Sequence, residues 1–313
     1  DYLHQLLLEN RPYEIHTEDS ARRKLEILAG GRQALGDYMD QIDASAPDYL
    51  RKVKLTELVY QKYLREAAEA MGNERKLLTT LERFVAEIRG VPQDRTQRKP
   101  LIGLVGEIYL RMNDYANGDI IRQLEAQGAE VFLAPFNEFV YNGLEFGSPL
   151  ETMGWRDFLR FKGLKSLLGY FAGKGFLRLY DDKIYRVLRR GIQRKEFGRG
   201  RDVKNVIRHG VKHTGKFSSG EGPLTLGAME EYALHGADGA IMIGPAGCLP
   251  NTIYEGLIQK MKNGLPPDKR DFPTLVVSMS ESRNLKNVRT RTEALVYQAK
   301  EYMDPQGQAK GAR

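Results

Sequence analysis

The sequence predicts an α/β protein: a parallel, flavodoxin- or Rossmann-like sheet of about four strands, with a helical region before it and a basic helical insertion within it. Three observations predict this class. Residues before Pro100 show only helical periodicity. Short apolar runs then alternate with helical segments. The positive charge is concentrated between the second and third runs. The predicted division is a helical region at 1–98 and an α/β domain at 99–313, with the insertion at about 151–216.

Composition narrows the class of protein. The 313 residues are 41% hydrophobic and 28% charged, enough apolar material for a folded core. The single cysteine, Cys248, excludes an intramolecular disulfide and a four-cysteine zinc site, and a reducing cytoplasm is the expected location. No apolar run reaches the length of a membrane span, so we expect no membrane partner. The start at Asp1 rather than Met suggests the C-terminal part of a longer protein, without a secretory leader.

The first region, residues 1–98, contains four sets of apolar residues, each of which predicts a helix. Ser45 and Pro47 form a predicted start for the third helix, and Asn73 is the predicted cap of the fourth. A polar linker from Gly90 to Pro100 ends the region. The apolar positions are Leu3, Leu6, Leu7 and Leu8; Leu25, Ile27, Leu28, Leu35 and Met39; Leu50, Val53, Leu58, Val59, Tyr63 and Leu64; and Leu77, Leu78, Leu81, Phe84, Val85 and Ile88.

The second region alternates strands with helices. Continuous apolar runs bounded by glycine or proline are typical of strands buried on both faces, as in parallel sheets. Such sheets bind ligands beyond the carboxyl ends of their strands, so we expect function in the loops that follow Val105, Ala134, Ile243 and Ser278. The predicted strands are 101–106, 130–135, 239–244 and 274–278, and the predicted helices are 120–127, 224–235, 250–262 and 288–303.

The insertion accounts for the net charge of the chain. Residues 156–216 contain 18 Lys+Arg and 5 Asp+Glu, a balance of +13, whereas the whole chain carries 48 − 41 = +7. This concentration predicts an acidic partner. Nucleic acid is a weaker alternative, because the chain has neither a zinc finger nor an RNA-recognition motif.

Cys248 lies in a loop, 244–251, that joins the third strand to a helix beginning at Pro250. The free amides and the dipole at a helix N-terminus stabilise a thiolate, the form that ligates metals and attacks electrophiles. The alternative is a small buried residue in a tight turn.

Glutamates mark three other segments. Glu107 and Arg111 follow the first strand and either orient a polar substrate or pair with each other. Glu221 and Glu293 each follow a serine or threonine by three residues, a spacing that favours capping boxes over acid–base chemistry.

The five histidines predict no convincing metal site. His209 and His213 share a helix face, but the sequence shows no carboxylate pair near them, so zinc there is a weak alternative. The chain has neither a Gly-Lys-Ser/Thr phosphate loop nor a nucleophile elbow, and we expect it to bind no nucleotide itself.

Several segments together resemble the 2-hydroxyacyl-CoA dehydratase / benzoyl-CoA reductase superfamily, and most closely the dehydratase-like region of large acyl-CoA dehydratase activase-related proteins. The resemblance covers most of the chain and is weakest in the insertion. The segments are LIGLVGEIYLR at 101–111, LEAQGAEV at 124–131, Gly220-Glu221-Gly222, GAIMIGPAGCLPN at 239–251, RTRTEALVYQA at 289–299 and Arg11-Pro12-Tyr13-Glu14.

The resemblance implies iron–sulfur chemistry of anaerobic metabolism. It implies Cys248 as a ligand of a four-iron or related cluster, with the remaining ligands outside this chain. Glu107 and Glu221 would line the pocket. The implied partners are an ATP-hydrolysing iron–sulfur activator or the rest of a parent chain, acyl-CoA, and a second subunit in a homo- or heterodimer. The alternative is a non-catalytic scaffold that binds partners without a complete cluster. Four residues would contact the cofactor: Gly106, Gly220, Gly247 and Asn251.

Overall fold

A computed structural model describes residues 48–90, 98–146, 161–188, 203–215, 221–280 and 285–303. The two predicted helical stripes before residue 40, the start signal at Ser45 and Pro47, and Gly220 lie outside these ranges. Among the described helices, none is both long and apolar enough to cross a membrane.

The elements alternate as an α/β fold requires. Strands and helices follow one another along the second region, and a short 3₁₀ turn at Pro267–Lys269 precedes the last strand. In chain order the elements are α1 Asp48–Glu69, α2 Glu74–Gly90, β1 Leu101–Gly106, α3 Ile108–Met112, α4 Asp114–Asn117, α5 Ile120–Ala126, β2 Glu130–Leu133, α6 Asn137–Phe146, α7 Phe161–Leu188, α8 Val203–Thr214, α9 Gly222–Leu234, β3 Gly239–Pro245, α10 Leu249–Asn263, β4 Thr274–Met279 and α11 Leu285–Met303.

The predicted fold class is confirmed by one four-stranded sheet with the order β2-β1-β3-β4 and only parallel pairs. β1 and β3 occupy its centre and are buried along nearly their whole length, as continuous apolar runs predict. The register places Gly106 opposite Ile243, so both central strands end at the same edge.

Each face of the sheet has its own apolar cluster. On one face, α5 and α11 contribute Leu124 and Leu295, which pack in one cluster with Leu104 of β1. On the other face, α9 and α10 contribute apolar side chains such as Tyr232 around Met242 of β3. Helices on both faces of a parallel sheet bury both sets of strand side chains.

A separate cluster forms where α1 and α2 meet the end of α7. Tyr63, Phe84 and Leu188 are almost completely buried in it. Asn73 caps α2 as predicted, because its Oδ1 accepts from the Lys76 amide at 3.0 Å. This cluster ties the insertion to the helical region.

Candidate site at the carboxyl edge of the sheet

The carboxyl end of β1 lies against β3 with no room for a side chain. Gly106 has φ +115°, and a Cβ there would stand 2.0 Å from the carbonyl oxygen of Ile243. The amide of the next residue, Glu107, donates to the same oxygen at 2.8 Å. Glycine is therefore required at this position, both for its positive φ and for the close approach.

Glu107 and Glu221 meet at the start of α3. The Glu107 carboxylate caps this helix, since its Oε2 accepts from the Leu110 amide at 2.7 Å. The amide of Ile108 donates to Oε1 of Glu221 at 3.1 Å. This hydrogen bond joins the loop after β1 to the segment that precedes α9.

The pKa of Glu221 is raised. Burial is the largest cause, the nearby charge of Glu107 acts in the same direction, and the hydrogen bond from Ile108 and the charge of Arg111 only partly oppose them. A carboxyl group with a raised pKa holds its proton to higher pH and suits general-acid chemistry.

The two predicted capping boxes are wrong. Ser218 lies outside the described residues, but α9 begins at Gly222, directly after Glu221, and the Glu221 side chain makes no cap hydrogen bond. Its carboxylate accepts from the Ile108 amide instead. Thr290 and Glu293 lie inside α11, which begins at Leu285, and Glu293 instead pairs with Arg289 at 3.1 Å.

Arg111 lies below the same loop and is only 3% exposed. Its Nη2 donates to the carbonyl oxygen of Pro135, which follows β2, at 3.5 Å. The guanidinium therefore links the loop after β1 to the loop after β2, and its charge is felt at Glu221.

Cys248 lies where the sequence predicted it, between the end of β3 and the first residue of α10. It is a free, half-buried cysteine. The turn before it is held by the Ala246 amide, which donates to the Met279 carbonyl at 2.7 Å, and by Gly247 at φ +75°. Pro250 stands in the first turn of α10. The thiol thus lies at a helix N-terminus, where the dipole and the free amides favour negative charge.

Asn251 and Gly247, which were predicted to contact the cofactor, have different surroundings. The side chain of Asn251 occupies the space beside Gly244, where a Cβ would come within 1.5 Å of its Nδ2. Gly247 has open space around its Cα hydrogens. That Cys248, Glu107 and Glu221 line one cavity stays a prediction. A cavity of about 600 Å³ lies elsewhere, on α1 and α2, and is lined by polar and charged side chains.

A complete iron–sulfur cluster does not fit the residues of this chain alone. A cubane is usually held by about four thiolates, and the sequence contains one cysteine. In the parts of the chain that the structure describes, no group of three or more His, Cys, Asp or Glu side chains is placed to hold a metal ion. This chain can supply one ligand to such a group.

A second polar cluster, which the sequence did not predict, lies between α8 and α9. The ring nitrogens of His209 face two carboxylates: Nδ1 is 2.8 Å from Oε1 of Glu230, and Nε2 is 3.2 Å from Oε1 of Glu231. The expectation that no carboxylate pair lies near His209 and His213 is therefore wrong. We call these side chains, with Lys212, His213 and His235, the His–Glu cluster.

Glu230 is the centre of the His–Glu cluster. Its Oε2 is hydrogen-bonded to Nε2 of His213, and its Oε1 accepts from Nζ of Lys212 at 3.2 Å. Burial raises the pKa of Glu230, but hydrogen bonds from His213, His209 and Lys212 outweigh it and lower the pKa to about 2. His235 holds Glu231 in turn, at 3.1 Å from its Oε2. The His–Glu cluster therefore links α8 to α9 through an ion pair and hydrogen bonds.

Two glycines bring α8 and α9 close enough for this cluster. A Cβ at Gly210 would stand 1.7 Å from the carbonyl oxygen of Pro223, and one at Gly227 would stand 1.9 Å from that of Val206. One signal in the sequence was available: His209, Lys212 and His213 share a helix face at spacings of three and four, and two glutamates are adjacent at 230–231.

Comparisons of the chain with protein-family models, with curated proteins and with solved structures found no match. The resemblance to the dehydratase superfamily stays a prediction that depends on the segments quoted above.

Proposed function

We propose that this chain is a component of an activator-driven iron–sulfur reductase or dehydratase of the 2-hydroxyacyl-CoA dehydratase type. In this proposal it donates the Cys248 thiolate to a cluster whose other ligands come from outside this chain. The observation that carries the proposal is the position of Cys248. It is free, half-buried and located at the N-terminus of a 15-residue helix, at the carboxyl end of a central strand.

The neighbouring loops supply the proton-handling groups of the proposal. Glu221 is the candidate acid, because burial raises its pKa. Glu107 is the second pocket candidate and is held by the Leu110 amide. The basic residues of the insertion outside α7 would face an acidic partner, either the activator protein or the phosphates of an acyl-CoA.

The proposal is tested by anaerobic reconstitution with ferrous iron and sulfide in the presence of a small external thiol, which can supply the missing thiolates. The full chain should retain iron and sulfide through gel filtration. Cys248→Ser should lose most of both. Ala246→Ser is the matched control, since it alters an exposed residue of the same turn and leaves the thiol in place.

Equal iron in the wild type and in Cys248→Ser would contradict the proposal, and so would an iron-free wild type under these conditions. Circular dichroism of each variant separates loss of a ligand from loss of the fold, because a serine differs from cysteine by one atom and should leave the structure intact.

A second candidate function is a partner-binding scaffold without a cluster. The observation that favours it is that both edge carboxylates are already engaged with backbone amides, Glu107 with Leu110 and Glu221 with Ile108. If the chain is a scaffold, the wild type and Cys248→Ser should bind the protein partner with equal affinity. If the chain shares a cluster with the partner, binding should depend on Cys248.

A further inference from the structure

The two halves of α7 have different surroundings. Its C-terminal half is anchored: Ile184 and Leu188 are buried in the cluster with α2, and Lys183 pairs with Glu74 at 2.5 Å. Asp181 accepts a hydrogen bond from the hydroxyl of Tyr141 at 2.7 Å. These contacts fix the direction in which the rest of the helix projects.

The preceding three turns leave large apolar side chains in solvent. Leu168 is 64% exposed, Phe171 55%, Phe176 66% and Leu179 65%. At 3.6 residues per turn they fall within an arc of about 140° on one side of the helix. Such a concentration of exposed apolar side chains on one element marks an interaction surface rather than ordinary scatter.

The N-terminal part of α7 is basic. Residues 161–180 contain four Lys or Arg residues, of which Lys174 and Arg178 lie in the exposed turns, and no Asp or Glu. The first carboxylate, Asp181, is the one held by Tyr141. Arg178 is exposed among the apolar side chains. Lys174 extends along the helix, with Nζ 3.3 Å from the Tyr170 hydroxyl. Long basic side chains of this kind can place their apolar stems in a lipid interface and their charges at its surface.

We infer that the exposed apolar side chains of α7, at residues 168–179, form a peripheral binding surface for an anionic lipid bilayer. Leu168, Phe171, Phe176 and Leu179 enter the head-group region, and Lys174 and Arg178 contact lipid phosphates. This surface is remote in sequence from the Cys248 loop and does not depend on the proposed function.

Two features favour lipid over other acidic partners. First, an anionic bilayer surface takes up large apolar side chains and basic side chains at the same time, and Lys174 and Arg178 accompany the four exposed apolar side chains. Nucleic acid would use the charges but leave the phenylalanines in water. Peripheral binding needs no spanning helix, so the sequence-based expectation of no membrane partner is tested by the same experiment.

The experiment is co-sedimentation of the full chain with vesicles. We expect binding to vesicles of equal parts phosphatidylcholine and phosphatidylglycerol and weak binding to phosphatidylcholine alone. Phe171→Ser combined with Phe176→Ser should weaken binding to the mixed vesicles about tenfold. The matched control is Met71→Ser with Tyr297→Ser, which removes two large side chains of similar exposure from the α1–α2 turn and α11 and should bind like the wild type.

Three outcomes would overturn the inference. The first is no binding to mixed vesicles. The second is equal binding by the phenylalanine variant and the control. The third is a wild-type dimer that the phenylalanine variant dissociates in the absence of lipid, which would assign the surface to a second copy of the chain. Circular dichroism and the thermal unfolding midpoint should be unchanged in both double variants, since all four substituted side chains are exposed.

Discussion

Glu221 directly precedes α9, and Glu230 lies within the same helix. Burial alone would raise the pKa of both carboxyl groups, but the net shift is upward for Glu221 and downward for Glu230. Glu221 has one backbone donor and the like charge of Glu107 beside it, so its pKa is raised. Glu230 has two histidines and a lysine as donors, so its pKa is lowered to about 2. Hydrogen-bond and charge partners, rather than burial alone, therefore decide whether a buried carboxyl group forms a structural ion pair or keeps its proton.

The largest effect on stability is expected when Glu230, the centre of the His–Glu cluster, loses its charge. Glu230→Gln removes the buried charge opposite His209, His213 and Lys212 and should lower the free energy of unfolding by about 3 kcal/mol. The measurement is equilibrium urea denaturation at pH 7. Glu293→Gln is the control, because its exposed pair with Arg289 should contribute less than about 0.5 kcal/mol. A Glu230→Gln chain as stable as the control would refute the role of the His–Glu cluster.

The close approach of α8 and α9 is tested next. Gly210→Ala places a methyl group 1.7 Å from the carbonyl oxygen of Pro223, so the helices must separate and stability should fall by about 2 kcal/mol. Gly256→Ala is the same substitution at an open position of α10, with nothing within 4 Å. There the change should stabilise by about 0.5–1 kcal/mol. Thermal unfolding of both variants should therefore shift in opposite directions.

The sequence predicted the sheet but not the His–Glu cluster. β1 and β3 were predicted because every residue of a strand buried on both faces can be apolar, and that signal is local. The contact of His213 with Glu230 joins residues 17 positions apart and depends on glycines that let two helices touch. Glu221 was misassigned for a related reason: its spacing from Ser218 suits a local cap, but the amide of Ile108, 113 residues away, takes its carboxylate.

The pH dependence of stability should distinguish the wild type from Glu230→Gln. The folded-state pKa of Glu230 is depressed from 4.5 to about 2. Its stabilising contribution is therefore complete above pH 4.5 and is lost as the pH falls toward 2. The difference in free energy of unfolding between the two chains should shrink by about half or more between pH 6 and pH 3. A constant difference over that range would mean that the partners do not lower the pKa of Glu230.

The smallest effect is expected at Glu221. Its raised pKa means that the ionised form is disfavoured in the folded state, so the group reduces stability as the pH rises through that pKa. Glu221→Gln keeps an oxygen acceptor for Ile108 and removes the charge near Glu107. Stability at pH 7 should therefore stay the same or rise by less than about 1 kcal/mol. A loss of stability as large as that of Glu230→Gln would show that the Glu221 carboxylate also stabilises the fold.

The most direct test of the contrast between these two carboxylates is a titration of their carboxyl ¹³C signals by NMR, with Glu221→Gln and Glu230→Gln used to assign them. We predict a pKa above 4.5 for Glu221 and a pKa of about 2 for Glu230. Two titrations with midpoints close to 4.5, or a Glu221 midpoint below that of Glu230, would contradict the assignment of Glu221 as the proton-holding group of the sheet edge.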